Sequence, residues 1–489
     1  MSVLLSRLLA DDAALPRGAE DAAISGLTAD SRQVKPGFLF AALPGTKVDG
    51  AEFIPQAIKA GAAAVIAGTS AASVPQASPI LIKAENPHQL FARIASRFAG
   101  SQPDIVVAVT GTNGKTSVAA FVRQIWQSMG FRAASIGTVG IVGPAGEEYL
   151  AHTTPDPVKL HHTLAGLALD HVTHLAMEAS SHGLAQFRLD GVRLAAAGFT
   201  NLTRDHLDYH ATFEDYFAAK MRLFSELLPE GATAVINADT DIAKDVVARA
   251  KAHGLTIFTV GEKGSGIKLV SSQRDGFGQR LVLATASGQH EIYLPLVGDF
   301  QVSNALVAAG LVIATGGEEV LAVHALESLK GAKGRLDLVA HSEKGAPIFV
   351  DYAHTPDALE KAVLALKPYV KRKLAVVFGA GGDRDKGKRP QMGAIVARLA
   401  DIPYVTDDNP RSEDPAVIRA EVMAACPGGI DIGDRALAIR TAVDALEEGD
   451  ILLVAGKGHE PGQAIGGKVL PFSDHDAVRA AVAQEDYHG

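Results

Sequence analysis

Apolar residues in this chain gather into short runs separated by polar, glycine-rich turns, and the period of those runs changes along its length. In the first hundred residues, β-like runs at 37–43 and 63–67 flank a helical pattern at 53–60, which predicts a small α/β unit. The opening Met-Ser-Val-Leu-Leu-Ser-Arg-Leu-Leu-Ala predicts an amphipathic first helix, since it lacks the long apolar core and cleavage site of a secretory leader. Polar residues with Gly and Pro at 99–104 mark a boundary. Beyond it, strand-like runs at 105–109, 175–177 and 195–200 alternate with helical patterns such as 213–228. That alternation predicts a mainly parallel sheet with ligands at the strand C-termini. Near 266–297 the period falls to two, with segments at 280–284 and 290–294, so a small antiparallel meander attached to the same domain is expected. From residue 332 a second doubly wound unit is predicted, with strands at 347–350, 374–378, 402–405 and 451–455.

Composition narrows the function classes. The chain has 489 residues, 47% hydrophobic and 21% charged, an ordinary globular balance that calls for several domains. The net charge of -9, from 46 basic and 55 acidic residues, argues against a bulk nucleic-acid binder, which needs basic surface. Cys426 is the single cysteine, which excludes a disulfide framework and a cysteine metal cluster. No apolar run approaches a membrane span. A soluble cytoplasmic protein is expected, with no nucleic acid or membrane partner.

The chemistry starts at 105–117, Ile-Val-Val-Ala-Val-Thr-Gly-Thr-Asn-Gly-Lys-Thr-Ser. An apolar strand, a Gly-rich turn, Lys115, Thr116 and a helical pattern form the layout of a phosphate-binding loop. Lys115 can reach terminal phosphates and the Thr116 hydroxyl can ligate Mg²⁺. The loop is a short form, with Val109 where the general motif carries another Gly. After the strand at 175–177 comes Glu178, a carboxylate on the same side as the loop and suited to Mg²⁺. The segment 201–210 packs Asp205, His206, Asp208 and His210 together; metal binding, acid–base work and capping all remain open for it. Lys220 reads by default as a solvated helix lysine.

In the third region, charged loops follow three strands: 379–389 with Arg384, 407–411 with Arg411, and 456–460. A guanidinium fork holds a carboxylate bidentately. Together with Asp, Asn and Glu, these loops point to a small zwitterion. The predicted architecture is therefore α/β in three domains. They are a small N-terminal α/β domain (1–98), a central P-loop ATPase-like domain with the meander (99–331) and a C-terminal Rossmann-like domain (332–489).

These blocks resemble the Mur ligase family, the ATP-dependent amide-forming enzymes of peptidoglycan precursor synthesis. The resemblance rests on 111–117, 178–182, 201–210, Asp351-Tyr-Ala-His354 and Gly334-Arg-Leu-Asp337, in the family's order. Within the family, Asp30-Ser-Arg32, Thr153-Thr154, 180–188 and 456–460 match the member that adds the third residue of the muramyl peptide. The loop Asp408-Asn-Pro-Arg411 matches the form selective for meso-diaminopimelate. The resemblance implies joining UDP-N-acetylmuramoyl-L-alanyl-D-glutamate to meso-2,6-diaminopimelate through an acyl phosphate, by a monomer. It implies ATP and phosphates at Gly111, Thr112, Asn113, Gly114, Lys115, Thr116 and Ser117, with Asn304 and Arg335 on the nucleotide side and His354 near the phosphates. Lys115 and Thr116 would hold ATP phosphates and one Mg²⁺, Glu178 and His206 would ligate a second, and a carbamylated Lys220 would add an anionic ligand; Lys115, Lys220, His206 and His354 would form the catalytic set. Carbamylation revises the default reading of Lys220, because CO₂ turns a repelling ammonium into an anionic oxygen ligand. The nucleotide-sugar peptide would meet Ala29, Ser31, Thr46, Lys47, Val48, His152, Thr153, Thr154, Ser180, Gln186 and Arg188. Diaminopimelate would meet Arg384, Asp408, Asn409, Pro410, Arg411, Gly456 and Glu460. His152 and the loop Thr46-Lys47-Val48 depart from the family pattern. A sister ligase adding L-lysine, a folylpolyglutamate synthase-like enzyme and a nucleotide switch without ligase activity are the competing readings.

Overall fold

The structure is a computed structural model, and it describes residues 2–45, 48–70, 79–150, 152–203, 205 and 209–487. Contacts divide the chain into two compact units, Met1–Lys268 with Leu306–Ala322, and Leu269–Ala305 with Val323–Gly489. Of the expected meander at 266–297, residues up to Lys268 fall in the first unit and the rest in the second.

In the first unit, strands Gly26–Thr28, Phe38–Ala42, Ala64–Gly68 and Ile80–Ala84 form a parallel sheet in that order. Helix Pro87–Ala99 covers it. Asn86 caps that helix by accepting from Gln89 N–H at 3.1 Å, Pro87 sits in its first turn, and Gly100 ends it at φ 84°. Those are ordinary start and stop signals. The N-terminal segment departs from the predicted helix. Val3–Leu4 pairs antiparallel with Ala23–Ile24, and only Leu5–Leu9 is helical. Within that short helix Leu5, Leu8 and Leu9, at i, i+3 and i+4, bury one face against the sheet's core.

The central sheet of this unit runs Ala133–Gly137, His174–Glu178, Ile105–Thr110, Ala196–Phe199, Thr233–Asn237 and Thr256–Gly261, all neighbours parallel. Strands buried on both faces read as continuous apolar runs, which is why Ile105–Thr110 was legible. One face packs Val106, Met177 and Phe199 with Leu160, Leu164, Met221 and Phe224. Gly198 admits close packing on the other face, where Leu311 would lie 3.1 Å from an added Cβ. Helix Phe213–Arg222 is shorter than the pattern at 213–228 predicts, because a π-helical turn follows at Leu223–Leu227.

In the second unit, strands Gly278–Thr285 and Gly288–Leu294 pair as an antiparallel hairpin. A separate sheet has the order Asp337–His341, Pro347–Asp351, Ile451–Ala455, Leu374–Phe378, Ile402–Val405, Ile430–Asp431. Its first pair is antiparallel and the rest are parallel. Helices Pro356–Leu366 and Lys388–Leu399 contribute Leu359, Val363, Met392 and Val396 to the core on one face. Helices Arg435–Asp444 and Asp474–Val482 contribute Ile439, Ala442 and Val478 on the other. This is the doubly wound arrangement expected. Among the described residues, no helix is long and apolar enough to cross a membrane.

Arg435 and Asp474 join those last two helices as a fully buried pair. Arg435 Nε donates to Asp474 Oδ1 at 2.7 Å and Nη2 to Oδ2 at 2.8 Å. Removing one partner strands a buried charge. Asp474→Ala is expected to cost about 3–5 kcal/mol, and Arg435→Met with Asp474→Leu to restore most of it. Urea unfolding of the three proteins measures this; a loss below about 1 kcal/mol would mean the pair behaves as a solvated one.

Candidate functional site

Strand Ile105–Thr110 delivers the chain to a turn and then to helix Lys115–Ser128, whose N-terminus is opened by Gly114 at φ 86°. Gly111, at φ 148°, lies so close to Thr200 and Asn201 that a side chain has no room. The neighbouring strand end fixes the loop: Thr112 N–H donates to Asn201 O at 2.9 Å and Asn113 N–H to Asn201 Oδ1 at 3.0 Å. Thr200 Oγ1 donates to Asn113 O at 2.6 Å. Backbone N–H groups of such a turn and helix start favour anions.

Two lysines meet at this loop. Lys115 Nζ donates to Gly111 O at 3.0 Å and Thr112 O at 2.8 Å. Lys220 Nζ donates to the same Gly111 O at 2.8 Å and lies 4.4 Å from the Tyr216 ring centroid. Lys220 is only 1% exposed, so the solvated reading fails. Helix Phe213–Arg222 turns it inward with Tyr216, whose hydroxyl is 3.1 Å from Thr112 Oγ1. Burial, and after it the Lys115 charge, hold the Lys220 ammonium well below its usual pKa, against the pull of Asp205. Burial pushes the Tyr216 hydroxyl up to about 12.

Glu178 ends the strand beside the loop strand and is buried, accepting from Thr138 N–H at 2.7 Å and Thr138 Oγ1 at 3.2 Å. Thr138 Oγ1 lies 3.0 Å from Thr153 Oγ1. Thr154 Oγ1 donates to Glu178 O at 3.1 Å and lies 3.0 Å from Ser180 Oγ. Arg188 Nη1 donates to Thr154 O at 2.7 Å and Nη2 to Gln186 Oε1 at 2.7 Å. Thr153, Thr154, Ser180, Gln186 and Arg188 therefore form one polar strip. Gly183 is needed there, since its Cβ would meet Thr154 at 2.7 Å. Ser31 is buried with its hydroxyl on Gln56 Oε1 at 3.0 Å, whereas Ala29, Val48 and His152 are exposed. Thr46, Lys47, His206 and Asp208 lie outside the described residues.

The second unit gathers the other candidates at its own strand ends. Asn304 Nδ2 donates to Gln301 Oε1 at 3.0 Å, and Gln301 Nε2 reaches Arg335 O at 3.5 Å. The Arg335 guanidinium sits 4.9 Å from the Tyr352 ring, and the His354 ring Nδ1 is 2.8 Å from Tyr352 O. Asp351 binds Leu336 N–H at 2.7 Å and Ala353 N–H at 2.8 Å; burial raises its pKa to about 6, opposed by Arg335. Arg411 adopts φ 54° and donates from Nη1 to Gly382 O at 2.7 Å, joining the 379–387 and 407–411 loops. Arg384 is exposed. Asp408 is 6% exposed, and its Oδ2 is buried without a hydrogen-bond partner, directly against Gly456. Asn409 Nδ2 donates to Glu460 Oε2 at 2.8 Å. Asp408, Asn409, Pro410, Arg411, Gly456 and Glu460 thus lie in one loop cluster.

Three family models match successive segments: "Mur ligase family, catalytic domain" at 23–99, "Mur ligase middle domain" at 109–312 and "Mur ligase, glutamate ligase domain" at 334–458. The chain is 53% identical over 485 residues to a UDP-N-acetylmuramoyl-L-alanyl-D-glutamate--2,6-diaminopimelate ligase of Bradyrhizobium diazoefficiens, covering 98% of this chain and 99% of that one. It is 55% identical to the protein of the same name in Brucella melitensis, covering 96% of both. The chain belongs to the Mur ligase family. A solved structure of a protein with that ligase name superposes with TM-score 0.72 at 32% identity, covering 99% of each chain.

As a Mur ligase, the chain carries residues near its sites that motif reading passed over. Lys457 is wholly buried beside Asn409 and Glu460. Gln463 Nε2 donates to Asp408 O at 2.7 Å, and Arg435 Nη2 to Ala455 O at 3.0 Å. Gln463 lies outside the quoted motifs and Arg435 in a helical pattern, while Lys457 lies inside the 456–460 loop but reads there as a solvated loop lysine. For Mg²⁺, the donor chemistry fits: a buried carboxylate at Glu178 and the Thr116 hydroxyl next to a phosphate loop suit a hard cation.

A lysine whose folded pKa lies below its unfolded value binds fewer protons when folded, so stability rises with pH between the two values. In CO₂-free buffer the unfolding free energy of the wild type, relative to Lys220→Met, is therefore expected to climb toward the ordinary lysine value of 10.5. Urea titrations at about pH 7 and about pH 9.5 measure the slope; a pH-independent difference means that the folded protein keeps the amine charged.

Proposed function

We propose that this Mur ligase is an ATP-dependent enzyme adding meso-diaminopimelate to UDP-N-acetylmuramoyl-L-alanyl-D-glutamate, working as a soluble cytoplasmic monomer in peptidoglycan precursor synthesis. The geometry that carries the reading is the phosphate loop with a second, buried lysine on its Gly111 carbonyl. The named specificity is supported by relatives 53% and 55% identical over nearly the whole chain. The domain borders 1–98, 99–331 and 332–489 belong to the same proposal.

In this mechanism the nucleotide-sugar substrate's carboxylate oxygen attacks the γ-phosphorus of ATP, and ADP leaves. The amine of diaminopimelate then attacks the acyl carbon; phosphate leaves and the nitrogen loses a proton. Little covalent work falls to the protein, so positioning and charge neutralisation dominate. Residues 111–117 cradle phosphates, with Asn304, Arg335 and His354 on the nucleotide side. Thr116 would hold one Mg²⁺, and Glu178 and His206 a second; such ions would supply charge neutralisation at the phosphates. Because burial lowers the pKa of its amine, Lys220 can add CO₂, forming an N–C bond and releasing a proton, to give an anionic ligand. Ala29, Ser31, 46–48, His152, Thr153, Thr154, Ser180, Gln186 and Arg188 receive the nucleotide-sugar peptide. Arg384 and Arg411 take a carboxylate of diaminopimelate, and the unpartnered Asp408 oxygen takes an ammonium.

Phosphate release is measured with ATP, Mg²⁺, the UDP-muramyl dipeptide and a panel of amino acids. Turnover with meso-diaminopimelate is expected; activity with L-lysine instead overturns the specificity, and no acceptor-dependent release overturns the ligase. Arg411→Ala is expected to raise the acceptor KM by about tenfold or more while leaving the ATP KM near wild type. Equal changes in both would place Arg411 in the scaffold. Lys220→Ala is expected to lose activity by about a thousandfold and to recover part of it with added short carboxylates. Near-normal turnover removes the carbamate.

A further inference from the structure

The buried Lys457 ammonium is left without a role in the mechanism above. It sits in the turn after strand Ile451–Ala455, with its side chain 0% exposed. Burying an ammonium is costly unless each donor finds an acceptor, and an apolar side chain would pack the same space more cheaply. The Lys457 Nζ partners are both residues of the acceptor cluster: Asn409 Oδ1 at 3.1 Å and Glu460 Oε2 at 3.2 Å.

These contacts remove the freedom of both partners. Asn409 Oδ1 accepts from Lys457 Nζ and from Ala464 N–H at 2.9 Å, and both groups are donors only. The amide is therefore fixed in one of its two orientations, and its Nδ2 donates to Glu460 Oε2 at 2.8 Å. With Oε2 held by two donors, Glu460 keeps Oε1 on the Tyr352 hydroxyl side, 3.5 Å away. The Asn409 backbone carbonyl accepts from Gly382 N–H at 2.9 Å, so the same residue anchors the loop bearing Arg384.

Resting on the ligase reading above, we infer that Lys457 is a positioning residue of the acceptor site: it locks the Asn409 amide and the Glu460 carboxylate into the single arrangement that receives the diamino acid. Its effect passes through those two side chains, so it belongs to acceptor binding and not to the phosphates.

Steady-state kinetics of Lys457→Met in the full enzyme test this. The KM for meso-diaminopimelate is expected to rise about tenfold or more, with kcat within about threefold and the KM values for ATP and the UDP-muramyl dipeptide unchanged. In a cycle with Glu460→Gln, the double variant is expected to lose less than the product of the two single losses. An unchanged acceptor KM, or equal losses for all three substrates, overturns the inference. If Lys457→Met does not fold, a crystal structure of the wild type with meso-diaminopimelate decides. Retention of both Lys457 contacts with the acceptor on Asn409 or Glu460 supports the inference; a flipped Asn409 amide or a Glu460 turned away from Lys457 overturns it. Wild-type enzyme without acceptor-dependent phosphate release instead sinks the ligase reading itself, which separates the two failures.

Discussion

The carbonyl of Gly111 accepts from two lysines at once, and the first unit's chemistry depends on that convergence. Two ammonium groups on one oxygen repel each other, and burial makes the charged form of Lys220 costlier still. Tyr216 and the helix Phe213–Arg222 hold the lysine in place, so these surroundings lower its pKa. A phosphate loop ordinarily needs a single lysine. The second is held inward on the loop's own carbonyl, in surroundings that disfavour its charge.

That convergence requires close backbone approach, which the parallel sheet supplies. Strand Ala196–Phe199 pairs with Ile105–Thr110 in register, so Thr200 and Asn201 emerge beside Gly111 and Thr112. Strand His174–Glu178 pairs on the other side and brings Glu178 to the same sheet end. Parallel pairing sends every strand's carboxyl end the same way, so residues far apart in sequence share one edge. Glycine is obligatory at 111 for the same reason: any side chain there would occupy the space of Thr200.

What the sequence made legible follows from this. Buried parallel strands such as 402–405 leave continuous apolar runs, and the structure has that strand at Ile402–Val405. The phosphate loop was legible because its glycines and lysine are adjacent in the chain. The meander was legible as alternation, and its hairpin pairs Gln279 with Leu294 through to Thr285 with Gly288. Lys220 was not legible from its residues, since helical spacing gives a face but not what covers it. The opening segment misled because Val3 and Leu4 satisfy a helical pattern while their hydrogen bonds go to Ala23 and Ile24. Arg435 and Lys457 were invisible for the opposite reason: charged residues in loops and helices read as solvated, and only tertiary burial says otherwise.

The two buried lysines show how one residue type is put to opposite uses. Lys220 is given a carbonyl and a neighbouring cation, an environment that disfavours its charge. Lys457 is given a carboxylate and an amide oxygen, an environment that matches a cation with two acceptors. The first arrangement lowers a lysine's pKa; the second fixes two neighbouring side chains. An amide-forming ligase needs both, since a labile acyl phosphate must form at one site and an amine must arrive in a fixed orientation from another. Polar contacts also hold the loops of the second unit. Arg411 reaches Gly382 O, Gln463 reaches Asp408 O and Arg435 reaches Ala455 O, so three loops from three strands are tied by side chain to backbone. Backbone acceptors cannot rotate away, and a recognition surface built on them keeps its shape before the ligand arrives.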